Sequence, residues 1–341
     1  MKNSINKNDL LDLELEYGSI SDLSERIIHG DVRSLSRCIT LSESSRRDHQ
    51  YFSRLVLEKI LPETGKSLRI GISGPPGVGK STFIESFGTL VLDKGKSIAV
   101  LAVDPSSSKS GGSILGDKTR MEKLSQSAKV YIRPSPAGNT LGGVGRHTRE
   151  AVLLCEAAGY DIVIVETVGV GQSESKVSNI IDIFLLLISP GGGDELQGIK
   201  RGIVEMADLI IVNKADGQLK NEAQKISEEY SSAVKLFRPK GNNWNTRVLT
   251  CSAIKNTGIN NIWNNITEFR DFLGDDISDQ AHRKQQFLEW MKEEIIENLS
   301  KEIYSDTEIV DMFHYYEEKI LIGEVLPSVA AYEIVNNFLK K

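Results

Sequence analysis

The sequence predicts an α/β fold: a mostly parallel sheet covered by helices on both faces, with helical extensions at the N- and C-terminal ends. Three observations carry that expectation. Six short apolar segments (LRIGISG, SIAVLAVD, DIVIVET, IDIFLLLIS, DLIIVNKAD and RVLTCSA) fall between about residues 68 and 272, each bounded by Gly, Pro, Ser or Asp. Each is rich in Val, Ile and Leu at consecutive positions, as a strand buried on both faces requires, and helix-length segments separate them. Before and after this zone the apolar residues recur at helical spacing instead. Parallel strands joined by crossover helices bring chemistry to the C-terminal ends of the strands, so the functional residues are expected there.

Residues 1–66 form the N-terminal helical extension. Ser21 is the expected N-cap of a helix with Leu23, Ile27 and Ile28 on one stripe, and after Gly30 the pattern continues with Leu35, Cys38, Ile39 and Leu41. Residues 67–275 hold the sheet. Residues 276–341 are helical again: Phe287, Trp290, Met291, Ile295, Leu299 and Ile303 recur at helical spacing, then Ile309, Met312, Phe313, Tyr316 and Ile320, and Pro327 opens a last helix ending near Leu339. Faces this apolar need a covering surface, either the sheet domain or a second copy of the chain.

Composition excludes several classes. Hydrophobic residues make up 40% and charged residues 26%, ordinary for a soluble globular protein. The net charge of −6 argues against nucleic acid as the main partner, because phosphate neutralisation needs clustered Lys and Arg. Cys38, Cys155 and Cys251 form no paired motif, and His29, His49, His147, His282 and His314 show no ligand spacing. Trp244, Trp263 and Trp290 read as packing residues. The N-terminus lacks the apolar core of a signal peptide, and the longest apolar run, IFLLLIS, is too short to span a bilayer, so a cytoplasmic chain without membrane insertion is expected.

The stretch GPPGVGKS at residues 74–81 fits G-x-x-x-x-G-K-[ST] in the setting that gives the pattern meaning, a strand before and a helix after. Its backbone N–H groups, from Gly74, Pro76, Gly77, Val78, Gly79, Lys80, Ser81 and Thr82, define a phosphate cradle, apart from proline's missing hydrogen. Lys80 supplies a cation to the β- and γ-phosphates and Ser81 a hydroxyl to Mg²⁺. Mg²⁺ takes oxygen ligands, and carboxylates are expected at neighbouring strand ends: Asp104 after IAVLAV and Glu166 after DIVIV. Asp117, in the Gly- and Ser-rich GGSILGDKTR, is a further candidate for the phosphate end.

The base is read by a second pair of loops. In NKAD, residues 213–216, Asp216 offers two acceptors to guanine N1–H and N2–H, whereas adenine has an acceptor at N1 and nothing at C2. Asn213 is expected at the N7/O6 edge, the Lys214 stem along the base, and the backbone of Ser252 and Ala253 at O6. A site that pairs one polar pattern rejects the wrong base by about 10⁴-fold, since buried groups are left unpaired. GTP is the expected ligand.

In ETVGVGQ, Gly169 is placed to bond the γ-phosphate, but the next residue, where small regulatory GTPases carry a water-positioning Gln, is Val170. Slow hydrolysis by the isolated chain and stimulation by a partner follow, unless Asp104, Asp117 or Gln172 orients the water. A loop at SPGGGDELQGIK, with Gly191, Gly192, Gly193, Asp194, Glu195, Gln197 and Lys200, is a candidate switch that orders on the γ-phosphate.

The motifs GPPGVGKST, DPSSSKSGGSILGDKTRM, YIRPSPAGNTLGGVGRHTREAV, VIVETVGVGQSE, GGGDELQGIKRGIVEMAD and VNKADG together resemble the methylmalonyl-CoA mutase-associated GTPases, also labelled ArgK-type, across nearly the whole G domain. The prefix IIHGDVRSLSRCITLSES resembles that family too, and the C-terminal region does so more loosely. The resemblance implies a homodimeric P-loop G-protein chaperone that serves an adenosylcobalamin-dependent acyl-CoA mutase by gating cofactor loading and protecting or reactivating the enzyme. It makes Lys80, Asp104, Asp117 and Glu166 the nucleotide, magnesium and hydrolysis residues, and the GGGDELQGIK loop a third switch. Three alternatives stay open: a nucleotide hydrolase or kinase acting on a periplasmic amino-acid-binding protein in LAO/AO-type transport, a metal-delivery GTPase, and a GTP-dependent interaction module.

Overall fold

The computed structural model describes residues 7–104, 121–136, 143–167, 177–191, 201–236, 244–274 and 281–340. Among them are seven strands: β1 (Leu68–Ser73), β2 (Ile98–Asp104), β3 (Val130–Pro136), β4 (Ile162–Thr167), β5 (Ile183–Ile188), β6 (Leu209–Val212) and β7 (Arg247–Thr250). They pair in the order β3-β2-β4-β1-β5-β6-β7, all parallel. The chain runs from β1 to β2 and β3 on one side, returns to insert β4 between β2 and β1, and continues with β5, β6 and β7 on the other side, so connections leave β1 in opposite directions and open a crevice at its C-terminal end, where such sheets bind ligands.

The helices preceding the sheet are α1 (Lys7–Tyr17), α2 (Ile20–Ile28), α3 (Val32–Glu43) and α4 (Arg47–Ile60). Those among the strands are α5 (Lys80–Asp93), α6 (Glu122–Ser125), α7 (Gly143–Ala157), α8 (Arg201–Met206), α9 (Lys220–Val234) and α10 (Ile259–Leu273). The last are α11 (Ala281–Ser305), α12 (Thr307–Leu321) and α13 (Pro327–Leu339), with Pro327 at the first turn as expected.

Strand alternation divides the apolar residues between two cores. Ile70, Ile72, Val100, Ile164, Leu185 and Ile211 face one of them, with Phe83, Ile84 and Phe87 of α5 and Ile262, Ile266 and Phe269 of α10. Val163, Val165, Leu186, Ile210 and Val212 face the other, with Leu154 and Cys155 of α7. The N-terminal helices join this second core: Leu23, Ile27, Leu35, Cys38, Phe52 and Val56 have no exposed surface. Each fully buried side chain of this kind contributes about 1.5–3 kcal/mol. All three cysteines are buried free thiols, and burial pushes the Cys38 and Cys251 thiols up to about 12.

Two local features differ from the sequence reading. The N-cap of α2 is Ser19, whose side chain accepts from Asp22 N at 3.2 Å; Ser21 lies inside the helix and bonds Lys59 of α4. The seventh strand, VYIRPSP, is not among the six apolar segments, because two prolines and a charge interrupt it. It is the edge strand β3, where missing N–H groups are tolerated, and α3 packs beside it: Ser36 Oγ and Tyr131 Oη are 3.2 Å apart, Arg133 Nη1 donates to Ser36 O at 3.4 Å, and Arg133 pairs with Glu43.

At the opposite end of the strands from the crevice lies a buried ionic cluster. Arg69, the second residue of β1, donates twice to Glu156 at the end of α7, at 2.8 Å from both Nε and Nη2. Asp182, just before β5, bonds the Arg69 backbone twice, its side-chain Oδ2 accepting from Arg69 N at 2.8 Å and its own N–H donating to Arg69 O at 2.9 Å. Arg283, 2% exposed, donates from Nε and Nη2 to Asp182 at 2.7 and 2.5 Å, from Nη1 to Gly65 O at 2.9 Å and Glu156 Oε1 at 3.5 Å, and from Nη2 to Ser67 O at 2.7 Å. That uses every N–H of the guanidinium. Two arginines and two carboxylates neutralise one another, which is how such charges stay buried. Burial works against the Arg69 charge, but Glu156 and Asp182 outweigh it and raise its pKa.

The chain divides into two units, residues 1–283 and 284–341. In the second, Tyr304 stacks on Phe313 at 5.1 Å and Ile309, Ala330 and Ile334 are buried, while Leu288, Met291, Ile295, Ile296 and Leu299 of α11 are each at least half exposed.

Candidate nucleotide site

The phosphate loop fills the crevice at the end of β1. Gly74 follows Ser73 and Gly79 caps α5 with φ 89°, a left-handed conformation that favours glycine. A Cβ there would stand 2.9 Å from Asn213 Nδ2, so the position is closed to side chains by crowding as well as by backbone shape. Val78 is buried in the core beneath the loop, whereas Ser81 is half-buried and Thr82 exposed. Lys80 folds back over its own loop, donating to Gly74 O at 2.8 Å and Pro75 O at 3.4 Å. Burial lowers its pKa, and the negative charge of Glu166 on β4 partly offsets that. Asp104 closes β2 in register with Pro136. At the same edge the buried hydroxyls Ser73 Oγ and Thr167 Oγ1 have no hydrogen-bond partner among the described residues.

Asn213 and Lys214 follow β6 and reach the same loop. Asn213, 2% exposed, donates from Nδ2 to Val78 O at 2.9 Å, and its Oδ1 accepts from Ala253 N at 3.1 Å and Cys251 Sγ at 3.5 Å. Lys214, at φ 60°, donates to Gly77 O at 2.6 Å. Ser252 Oγ donates to Asp216 Oδ2, and Ala215 N donates to Cys251 O at 2.9 Å. The loops after β1, β6 and β7 are therefore knitted together by the protein's own bonds.

The structure brings Gly74, Pro76, Gly77, Val78, Gly79, Lys80, Ser81, Thr82, Glu166, Asn213, Lys214, Asp216, Ser252 and Ala253 to one edge of the sheet. Gly191, with φ 92°, follows β5 and donates its N–H to Glu222 at 3.2 Å. Asp117, Gly169, Gly192, Gly193, Asp194, Glu195, Gln197 and Lys200 lie outside the described residues, as does the side chain of Asp104. One expectation changes in detail. The Ser252 and Ala253 N–H groups are both used within the protein, by Thr257 O at 2.9 Å and by Asn213 Oδ1. Asn213 is thus first a brace between loops, with one Nδ2 hydrogen in the bond to Val78 O.

A parallel sheet with a phosphate loop at its reversal point, braced against an NKxD loop, defines the P-loop GTPases. A family model described as methylmalonyl-CoA mutase-associated GTPase MeaB matches residues 35–308, and the chain belongs to that family. Among its relatives, GTPase ArgK of Escherichia coli is 44% identical over 307 residues, covering 90% of this chain and 92% of that one. The mouse methylmalonic aciduria type A homolog, a mitochondrial protein by name, is 44% identical over 326 residues, covering 93% of this chain and 79% of its own. A crystal structure of a LAO/AO transport system kinase superposes with TM-score 0.74 at 34% identity, covering 99% of this chain and all of that one. The protein is a GTPase and binds guanine nucleotide. Among the described residues no helix is long and apolar enough to cross a membrane.

Proposed function

We propose that the chain is a cytoplasmic G-protein chaperone for an adenosylcobalamin-dependent acyl-CoA mutase, methylmalonyl-CoA mutase above all, and that its GTP cycle gates cofactor loading and protects or reactivates that enzyme. The observation that carries this reading is the match to a mutase-associated family over residues 35–308. With nucleotide bound, Lys80 serves the β- and γ-phosphates, and the loop amides take the remaining phosphate oxygens. Asp216, oriented by Ser252, accepts from N1–H and N2–H, while Lys214 covers the base. The O6 contact shares the Ala253 N–H with Asn213 Oδ1. Buried unpaired hydroxyls at the strand ends fit an edge made for a polar ligand.

The oxygen donors proposed for Mg²⁺, Ser81, Asp104 and Glu166, are hard ligands suited to that ion, and Ser81 and Glu166 stand at the C-terminal edge of the sheet, after β1 and at the end of β4. When bound there, Mg²⁺ supplies charge neutralisation at the β- and γ-phosphates. Asp117, Gly169 and the loop from Gly191 to Lys200 are proposed to act at the γ-phosphate and to carry its presence to the mutase.

GTP turnover should be below about 1 s⁻¹ for the isolated protein and should rise about tenfold or more with the mutase, with Lys80→Ala abolishing both rates. A γ-labelled GTP assay with a periplasmic amino-acid-binding protein should leave that protein unlabelled. Labelling there, with no response to the mutase, would favour the transport reading that the name of the solved relative invites.

The apolar stripe of α11, with Phe287, Leu288, Met291, Ile295, Ile296 and Leu299 exposed, is proposed to be covered by a second copy of the chain. Met291→Glu combined with Ile295→Glu should convert a dimer to a monomer in sedimentation velocity, and a wild-type monomer at micromolar concentration would refute the assignment.

A further inference from the structure

We propose that Ser86 is a positioning residue for the guanine base: it fixes the loop after β7 to the helix that carries the phosphate site. This rests on the reading of Asp216 and the 252–253 loop as the base-binding elements.

Ser86 lies six residues past Lys80 on α5, about 9 Å along the same rod at 1.5 Å per residue. Its hydroxyl donates to Ala253 O at 3.0 Å and lies against Asn256 Oδ1. The Ala253 peptide flanks are therefore gripped from two sides, the N–H by Asn213 Oδ1 and the carbonyl by Ser86. The loop is itself closed. Ser252 and Thr257 exchange backbone bonds of 2.9 and 3.1 Å, and Lys255 N donates to Ser252 Oγ at 3.2 Å. Asn256 holds φ 54°, and Gly258 holds φ 81° where a Cβ would strike Thr250 O at 2.4 Å. A loop this constrained moves as one piece.

What that piece carries is Ser252, whose Oγ donates to the Asp216 carboxylate. The path runs from α5 through the Ala253 carbonyl to Ser252 and so to the group that discriminates the base. Releasing the loop from Ser86 frees Asp216 to turn, and only ligands that use Asp216 feel the loss. The phosphate loop keeps a contact outside this path, Lys214 to Gly77 O, and Asn213, which touches both Val78 O and Ala253 N, stays held on the phosphate side.

The test compares GDP, ADP and inorganic tripolyphosphate, each with Mg²⁺, by calorimetry on the full chain. Ser86→Ala should weaken GDP about five- to tenfold, as the loss of one hydrogen bond in a pre-formed site does, with ADP and tripolyphosphate changed less than twofold. Ser86→Thr, which keeps the hydroxyl, should restore GDP binding. Asn256→Gly, which accepts the left-handed backbone while removing the competing acceptor Oδ1, should leave GDP binding intact, since the hydroxyl then serves Ala253 O alone. In Ser86→Ala, equal weakening of GDP and tripolyphosphate would mean that only the helix was damaged, and unchanged GDP binding would mean that the contact carries nothing; either overturns the proposal. Asp216→Ala run in parallel separates the two layers. If it too leaves GDP unaffected, the base-site reading falls; if it weakens GDP while Ser86→Ala does not, only the role of Ser86 falls.

Discussion

Replacing Asp216 with asparagine should exchange the preference for GTP for a preference for XTP. Guanine presents two donors, N1–H and N2–H, to the two carboxylate oxygens. Xanthine keeps N1–H but has an oxygen at C2. An asparagine offers Oδ1 to the first and Nδ2–H to the second, so it pairs xanthine and leaves guanine's amine facing another amine. Losing the N2–H bond to a charged group, about 1.5–3 kcal/mol, and leaving two amines unpaired against each other, about 1–3 kcal/mol, put the loss of GTP affinity at roughly 10²- to 10⁴-fold. Ser252 shapes the outcome, because its hydroxyl already donates to Asp216 Oδ2 and can donate to asparagine through the oxygen alone. That leaves Nδ2 directed at the ligand. Competition binding with GDP and XDP would measure the switch, and equal loss of both nucleotides would show that Asp216 does not read the base.

The largest stability effect is expected at Arg283. Truncation to alanine leaves Asp182 and Glu156 sharing one arginine in a site from which water is excluded, and strips Gly65 O and Ser67 O of their donor. Breaking one partner out of a buried ion cluster costs about 3–5 kcal/mol. Urea unfolding should therefore show a lower midpoint for Arg283→Ala. Arg283→Lys, a point charge without the planar fork, should recover part of the loss, and Asp182→Asn in the alanine background should relieve some of it by removing the surplus charge. A change below about 1 kcal/mol in Arg283→Ala would show that the cluster gives up its arginine without consequence.

The parts of this fold that are legible from sequence are those whose physics is local. Apolar runs announce β1, β2, β4, β5 and β6, and also β7, although β7 is an edge strand with its residues only half-buried rather than buried on both faces; the phosphate loop between a strand and a helix announces its own chemistry. Strand β3 was hidden because Pro134, Pro136 and Arg133 break the pattern that marks a buried strand, and only its place at the sheet edge makes them acceptable. The cap of α2 is Ser19 rather than Ser21 because the turn that precedes the helix, which no spacing rule reveals, brings its side chain to Asp22 N. The ionic cluster joins residues 69, 156, 182 and 283, spread over most of the chain, and no spacing rule connects them. Ser86 gave no signal beyond sharing a helix with Lys80. Asn213 was recognisable as a member of the base loop, but its bracing role is a property of three loops meeting, which depends on the strand order.

The two prolines of β3 have a consequence for how the protein behaves in a crowded cell. A sheet edge recruits further strands by presenting N–H and C=O groups in turn, and continuous addition of that kind is how native sheets become aggregates. Two of the seven residues of β3 carry no N–H, so an incoming strand cannot complete its ladder along that margin. Polymer growth is blunted there at a cost the edge position makes small. A chain whose last helices expose so much apolar surface can then seek company through side chains that choose their partner, rather than through backbone, which pairs with any sequence.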